Sequence, residues 1–117
     1  MPTIRDLVEA IRQRDGVEAA IVLGRDGLLI DSHVVAGLDP ENVAAHIPLV
    51  ISAADDFGSA AGRGALITAV LEHPNGMAIV SVLSDEAVLL VLVHPAANVG
   101  QLLFELRKNR EFIASLV

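Results

Sequence analysis

Residues 41–62 read ENVAAHIPLVISAADDFGSAAG, and this stretch decides the fold. Asp39 is a favourable N-cap and Pro40 suits the first helical position, so the stretch predicts one long helix that ends before the glycines at 62 and 64. At about 100° per residue, one stripe of apolar side chains should pack on the rest of the protein. This predicted sheet-facing stripe consists of Val43, Ile47, Val50, Ala54, Phe57 and Ala61.

The other sides of this helix raise the question of what covers them. The side predicted to face water consists of Glu41, Pro48, Ser52, Asp55 and Ser59. Between the water-facing side and the sheet-facing stripe lies a shoulder of the helix that consists of Leu49, Ala53 and Ala60. It is bordered by Asn42, His46 and Asp56. With Ala44, Ile51 and Gly58 on the opposite shoulder, the apolar arc spans roughly 220°, although packing on one partner needs only about 100°.

Two interpretations of the wide arc remain open. Alanine is tolerated anywhere on a helix, so the extra arc can be without meaning. Alternatively, the small side chains Ala53 and Ala60 let a second backbone approach closely, and a symmetric dimer would pair the helix with its own copy. The size of Leu49 favours the second interpretation, which predicts a homodimer interface at Asn42, His46, Leu49, Ala53, Asp56 and Ala60.

The rest of the chain predicts five strands and two further helices. Thr3 and Asp6 form a capping box before the first helix, and Asn98 can cap the last one. The strands are predicted at residues 17–23, 28–34, 65–72, 77–83 and 87–93, and short turns between strand neighbours make them antiparallel. The strands AVLLVLV and MAIVSVL are apolar on both faces, so both faces of the sheet should be covered.

These elements predict an α/β fold, more narrowly an α+β sandwich, formed by a single domain over residues 1–117. The long central helix should cover one face of a five-stranded antiparallel sheet, and the N- and C-terminal helices should cover the other.

Composition excludes several classes of function. The chain has no Cys, which removes disulfides and thiolate metal sites, and its net charge of -7 makes nucleic acid an improbable partner. No signal peptide or stretch able to insert into a membrane is evident, so a cytoplasmic location is expected.

Candidate catalytic groups do not combine into a site. In Asp31-Ser32-His33, neighbouring strand residues point to opposite faces, and the histidines at 33, 46, 73 and 94 lack metal-ligand spacing. The sequence therefore predicts no enzyme activity and no cofactor. Arg25 and Arg63 are the only basic residues outside the terminal helices, and either can be a plain loop residue or an arginine offered to a partner's nucleotide.

Charge placement indicates a protein partner. Most basic residues belong to the first and last helices, whereas the middle of the chain is acidic. Complementary charge then favours recognition of another protein. The predicted partner-facing residues are Glu41, Ser52, Asp55, Ser59 and Arg63.

The order of elements resembles the roadblock domain, a family named for a dynein light chain. The segments that carry the resemblance are GVEAAIVLGRDGLLIDS, GRGALITAVLEHPNGMAIVSVLSDEAVLLVLV and NVGQLLFELRKN. The resemblance extends to bacterial members that regulate gliding motility through a small Ras-like GTPase.

The resemblance implies a non-enzymatic scaffold that forms a homodimer or heterodimer through the long helix and the strand that follows it, with Thr68 and Val70 at the edge. It also implies a small Ras-like GTPase as partner and a role in GTPase activation through the GTPase's own groups, which argues against a donated Arg63. The alternative is a small-molecule sensor of PAS- or profilin-like fold, against which the aromatic content of 3% argues.

Overall fold

The computed structural model describes all 117 residues. The predicted capping box forms, because the Thr3 hydroxyl accepts from the Asp6 N–H and the Asp6 carboxylate accepts from the Thr3 N–H. Asp39 likewise caps the helix that begins at Pro40. In chain order the elements are α1 Ile4–Arg12, β1 Val17–Gly24, β2 Leu29–Val34, α2 Pro40–Ala45, α3 Ile47–Ala60, β3 Thr68–His73, β4 Gly76–Val82, β5 Ala87–Val93, α4 Val99–Lys108 and α5 Arg110–Ser115.

The strands form one five-stranded antiparallel sheet in the order β2-β1-β5-β4-β3. The turn between β1 and β2 contains Gly27 at φ 89°, a conformation that a side chain would strain. The sheet and its two covered faces confirm the predicted fold class. β2 and β3 are its edge strands, so one side of each has no neighbouring strand.

Both faces of the sheet carry a packed aliphatic core. On the face covered by α2 and α3, Ala44, Ile47 and Ile51 pack on side chains of β1, β4 and β5. On the opposite face, which we call the terminal-helix face, α1, α4 and α5 supply Val8, Ile11, Leu102, Leu106 and Ile113. The absence of polarity alternation in β4 and β5 therefore has a direct physical cause, because each strand is buried on both sides.

The prediction of one long central helix is wrong, because the helix is broken at His46 into α2 and α3. Pro48 has no N–H to donate to the carbonyl of Ala44, and its ring would crowd that carbonyl in a continuous helix. Pro48 does not face water as predicted. It is half-buried, and its Cγ would lie 3.0 Å from a Cβ placed on Gly27, so it packs on the β1–β2 turn.

Two other boundaries differ from the predictions. The C-terminal helix is divided at Asn109, whose side-chain amide donates to the carbonyl of Glu105 at 2.9 Å. β3 begins at Thr68 and not at residue 65, because a carboxylate of α3 takes the N–H of Leu66 before the strand begins. No helix combines the length and apolar character that crossing a membrane requires.

Candidate interaction surface

The orientation of α3 decides which side chains remain at the surface. Ile47, Ile51 and Gly58 are buried against the sheet, and Ile51 is only 4% exposed. Leu49 is 75% exposed and Phe57 is 72% exposed. The predicted sheet-facing stripe is therefore wrong for Phe57, and also for Ala61, which is exposed at the end of α3. The buried face continues through the break at His46, because Ala44, Ile47, Ile51 and Gly58 lie within about 60° of one another on one wheel, and the predicted stripe was centred about 70° to one side of it.

The exposed side of α3 is apolar along its length. Leu49, Ala53 and Ala60 lie within about 20° of the direction opposite Ile51 at 100° per residue, and all are exposed. Phe57 flanks them on the side of β3, where it lines a groove together with Ile67 and Thr68. Ile67 is 55% exposed and Val70 is 42% exposed. We call the α3–β3 surface the set formed by Leu49, Ala53, Phe57, Ala60 and Ile67 together with the open edge of β3. Val70 belongs to that edge, but its side chain lies on the terminal-helix face, because it is opposite Ile79.

The residues predicted at a dimer interface are all accessible, with Thr68 half-buried and the others exposed: Asn42, His46, Leu49, Ala53, Asp56, Ala60 and Val70. His46 lies at the break between α2 and α3, where its Nδ1 is 2.7 Å from the carbonyl oxygen of Asn42. Phe57 and Ile67 are surface residues that the sequence reasoning missed. The signal for Phe57 is its spacing of four and eight residues from Ala53 and Leu49.

Of the predicted partner-facing residues, Glu41, Ser52, Ser59 and Arg63 are exposed, whereas the prediction for Asp55 needs correction. Asp55 is half-buried, and its Oδ1 accepts the N–H of Leu66 at 2.7 Å. Its Oδ2 lies 3.4 Å from Nη2 of Arg25. Asp55 therefore joins α3 to the segment before β3 and to the β1–β2 turn, and its carboxylate is occupied within the chain.

A groove of about 400 Å³ lies where α3 ends and β3 begins. Its apolar wall includes Phe57 and Ile67, and its basic side chains are Arg63 and Arg107. The ion pairs of the chain join Arg5 to Asp31, Arg14 to Glu105 and Arg25 to Asp55. Both basic side chains of the groove are exposed and have no acidic partner within the chain.

The edge of β3 next to this groove has free backbone groups. The carbonyl of Ile67 accepts from the N–H of Val82 at 2.9 Å, so the backbone groups of Ile67 point towards β4. Backbone groups alternate along an antiparallel strand, so those of Thr68, Val70 and Glu72 point to the open edge. An unprotected edge of this kind is a site at which another strand can pair.

The remaining polar residues do not form a cluster with the geometry of a catalytic site. Asp31 pairs with Arg5 of α1 at 2.8 Å, while His33 is exposed. No group of three or more His, Asp and Glu side chains is arranged to hold a metal ion.

A second cleft of about 540 Å³ lies between the end of α1 and the start of α4. It is lined by Arg14, Asp15, Gly16, Val17, Val93, His94, Ala96, Ala97, Asn98, Gln101 and Leu102.

Comparison with known proteins agrees with this architecture. The uncharacterized protein MJ1340 of Methanocaldococcus jannaschii is 26% identical over 106 residues, which cover 91% of this chain and 92% of that protein. The solved gliding protein mglB of Thermus thermophilus superimposes with a TM-score of 0.84 at 14% identity, covering 97% of this chain and 87% of that one. A solved MglB with a tetrameric arrangement gives a TM-score of 0.85 at 14% identity, covering 97% and 86%.

Those structural likenesses show the fold. The family follows from a separate comparison, in which the model of the Roadblock/LC7 domain matches residues 3–93. That match includes every strand, the central helices and the whole α3–β3 surface. The chain therefore belongs to the Roadblock/LC7 domain family.

Proposed function

We propose that this chain is a single-domain, non-catalytic regulatory module that forms a homodimer through the α3–β3 surface and binds a small Ras-like GTPase. The observation that carries the proposal is the exposed apolar side of α3, above all Leu49 and Phe57, beside the open edge of β3. A contiguous apolar patch on a small protein marks a protein interface more often than a bare surface.

A second copy of the chain suits this surface. Ala53 and Ala60 lie on the exposed side of α3, so two α3 helices can approach closely there, while Leu49 and Phe57 supply the apolar area. A two-fold axis would pair each helix with its copy and each β3 edge with its copy. Both pairings remove apolar surface or free backbone groups from water at the same time.

The GTPase part of the proposal rests on the family and on charge. The resemblance to bacterial roadblock domains implies a small Ras-like GTPase, and solved MglB structures share the fold. Polar and charged side chains are exposed on and beside the central helices, outside the α3–β3 surface: Glu41, Ser52, Ser59 and Arg63. A rim of polar and charged residues is typical of a surface that recognises another protein.

The dimer is tested by the mass of the purified chain in solution. Light scattering at micromolar concentration should give twice the chain mass of 12.3 kDa. Leu49→Asp places a charge at the N-terminal end of the α3–β3 surface, where its largest exposed aliphatic side chain lies, and should give a monomer. Leu28→Asp is the matched control, because Leu28 is equally large and exposed but lies in the β1–β2 turn. A monomeric wild type, or a Leu49→Asp dimer, contradicts the proposed interface.

The partner is tested with purified small Ras-like GTPases from the same genome, each loaded with GDP or with a non-hydrolysable GTP analogue. We expect one of them to bind the immobilised dimer with a preference for one nucleotide state. GTP hydrolysis measured with and without the chain then separates activation from scaffolding alone. Failure of every such GTPase to bind, with a correctly folded dimer on the support, contradicts the GTPase proposal and leaves the dimer unaffected.

A further inference from the structure

The open edge of β3 carries charges that suit a second copy of itself. Glu72 pairs with Met77 on β4, and Met77 packs in the core under the terminal helices. Residues directly opposite each other on paired strands point to the same face, so Glu72 lies on the terminal-helix face. Its side chain is exposed and has no basic partner within the chain.

Arg107 lies on the same face at the other end of β3. It belongs to α4, whose Leu102 and Leu106 pack in the terminal-helix core, and it lines the groove that contains Ile67 and Thr68. Glu72 is near the end of β3 and Arg107 is near its start. Within one copy the two charges are therefore separated by most of the length of the strand.

An antiparallel two-fold pairing of β3 with its copy brings these opposite ends together. If Val70 faces Val70 of the second copy, then Thr68 faces Glu72 of the second copy. The backbone groups of Thr68, Val70 and Glu72 all point to the open edge, so this register uses every free group of the segment. A two-fold axis at Ala69 or Leu71 instead would leave one end of the segment without a strand partner.

We infer that Glu72 of each copy forms an ion pair with Arg107 of the other, and that the two symmetric pairs fix the register of the joined β3 strands. This inference rests on the proposed homodimer. A residue opposite Thr68 lies about 5 Å from it, which is within reach of a long arginine side chain at that corner. A slip of the register places Glu72 opposite an apolar residue or beyond the strand, so the charges also select against other pairings.

Charge reversal tests the inference. Glu72→Arg alone puts two basic side chains at each contact, and Arg107→Glu alone puts two acidic ones there. Each variant should form its homodimer about tenfold or more weakly than wild type. Mixed in equal amounts, the two variants should form a heterodimer in clear excess over either homodimer, because every contact then joins opposite charges. The double variant Glu72→Arg/Arg107→Glu should regain the wild-type dissociation constant.

The controls are Glu86→Arg in the β4–β5 turn and Lys108→Glu, which make the same changes in net charge at exposed positions. Lys108 follows Arg107 on α4, and its side chain leaves the helix about 100° around from that of Arg107. Native mass spectrometry of the mixture and sedimentation of each variant supply the readouts, with circular dichroism to show that each is folded. A wild-type monomer overturns both the homodimer and this inference. The ion pairs alone are overturned if wild type is a dimer and both single variants dimerise as strongly as it does. They are also overturned if the mixture of the two variants contains homodimers and heterodimers in statistical proportions.

Discussion

The carboxylate of Asp55 joins α3 to two distant parts of the chain, because it accepts the N–H of Leu66 at 2.7 Å and lies 3.4 Å from Nη2 of Arg25. The first contact fixes where the chain leaves the helix and enters β3. The second holds the β1–β2 turn beside the helix. This side chain therefore helps to set the position of β3 relative to α3, and so the shape of the α3–β3 surface.

Replacement of Asp55 by Asn should lower the free energy of unfolding by about 1–2 kcal/mol, because a neutral amide accepts a weaker hydrogen bond and loses the attraction to Arg25. Urea denaturation at a fixed protein concentration measures the change. Asp56→Asn is the control, since Asp56 is exposed and makes no side-chain hydrogen bond within the chain. Equal losses in the two variants would contradict the structural role of Asp55.

Gly58 allows α3 to pack closely against the segment that leads into β3. A Cβ on Gly58 would collide with the carbonyl oxygen of Gly64, which is backbone and cannot move aside without displacing the chain. Gly58→Ala should therefore destabilise the protein by about 1–3 kcal/mol, although alanine normally favours a helix. Gly100→Ala in α4 is the control, because the nearest atom to its Cβ would be Oδ1 of Asn98 at 3.7 Å. Thermal melting should show a lower midpoint for the first variant and an unchanged or higher one for the second.

The sheet was predictable from sequence because its signals are local. Turn residues such as Gly27 and the capping residues Thr3 and Asp39 act within a few positions, and all take their predicted roles. The apolar character of β4 and β5 on both faces also predicted two helical layers correctly. These features follow from elementary periodicity and turn geometry.

The phase of the central helix was not predictable in the same way. The apolar arc of this helix is wide, so the sequence does not show which part of the arc faces the sheet. The buried face is centred near Ile51, about 70° from the centre of the predicted stripe. Phe57 therefore moves from the predicted core to the surface, and Ile51 moves from a shoulder to the core. The helical wheel also places Asp55 in water, because a wheel contains no information about contacts with later segments. The hydrogen-bond partner of Asp55 is Leu66, which lies in the loop after α3.

The short helix α5 is held in place by Arg110. Its guanidinium donates from Nε to the carbonyl of Val82 at 2.8 Å, and Nη2 reaches the same oxygen. Arg110→Ala should free α5 from the end of β4 and lower the free energy of unfolding by about 1–2 kcal/mol. Hydrogen exchange should show faster exchange of the amides of residues 113–117 than in wild type. Lys108→Ala, at an exposed position on α4, should leave those amides protected to the wild-type extent.

A mutation of Phe57 distinguishes the core position predicted from the sequence from the surface position seen in the structure. A core phenylalanine costs about 3–5 kcal/mol when it is truncated, whereas a surface one costs under about 0.5 kcal/mol. In the monomeric Leu49→Asp background, Phe57→Ser should therefore leave the free energy of unfolding almost unchanged. In the otherwise wild-type chain it should weaken the dimer by about tenfold or more, because it removes a large apolar group from the proposed interface.

Phe112→Ser provides the comparison for this prediction, since Phe112 is an exposed phenylalanine on α5, which packs on the terminal-helix face through Ile113. It should change neither the dissociation constant of the dimer nor the stability of the monomer. A large loss of stability in Phe57→Ser would show that Phe57 is buried in the core and that α3 has a different orientation on the sheet. A dimer that is insensitive to Phe57→Ser but disrupted by Leu49→Asp would confine the interface to the first half of α3, because Leu49 and Phe57 are about two helical turns apart.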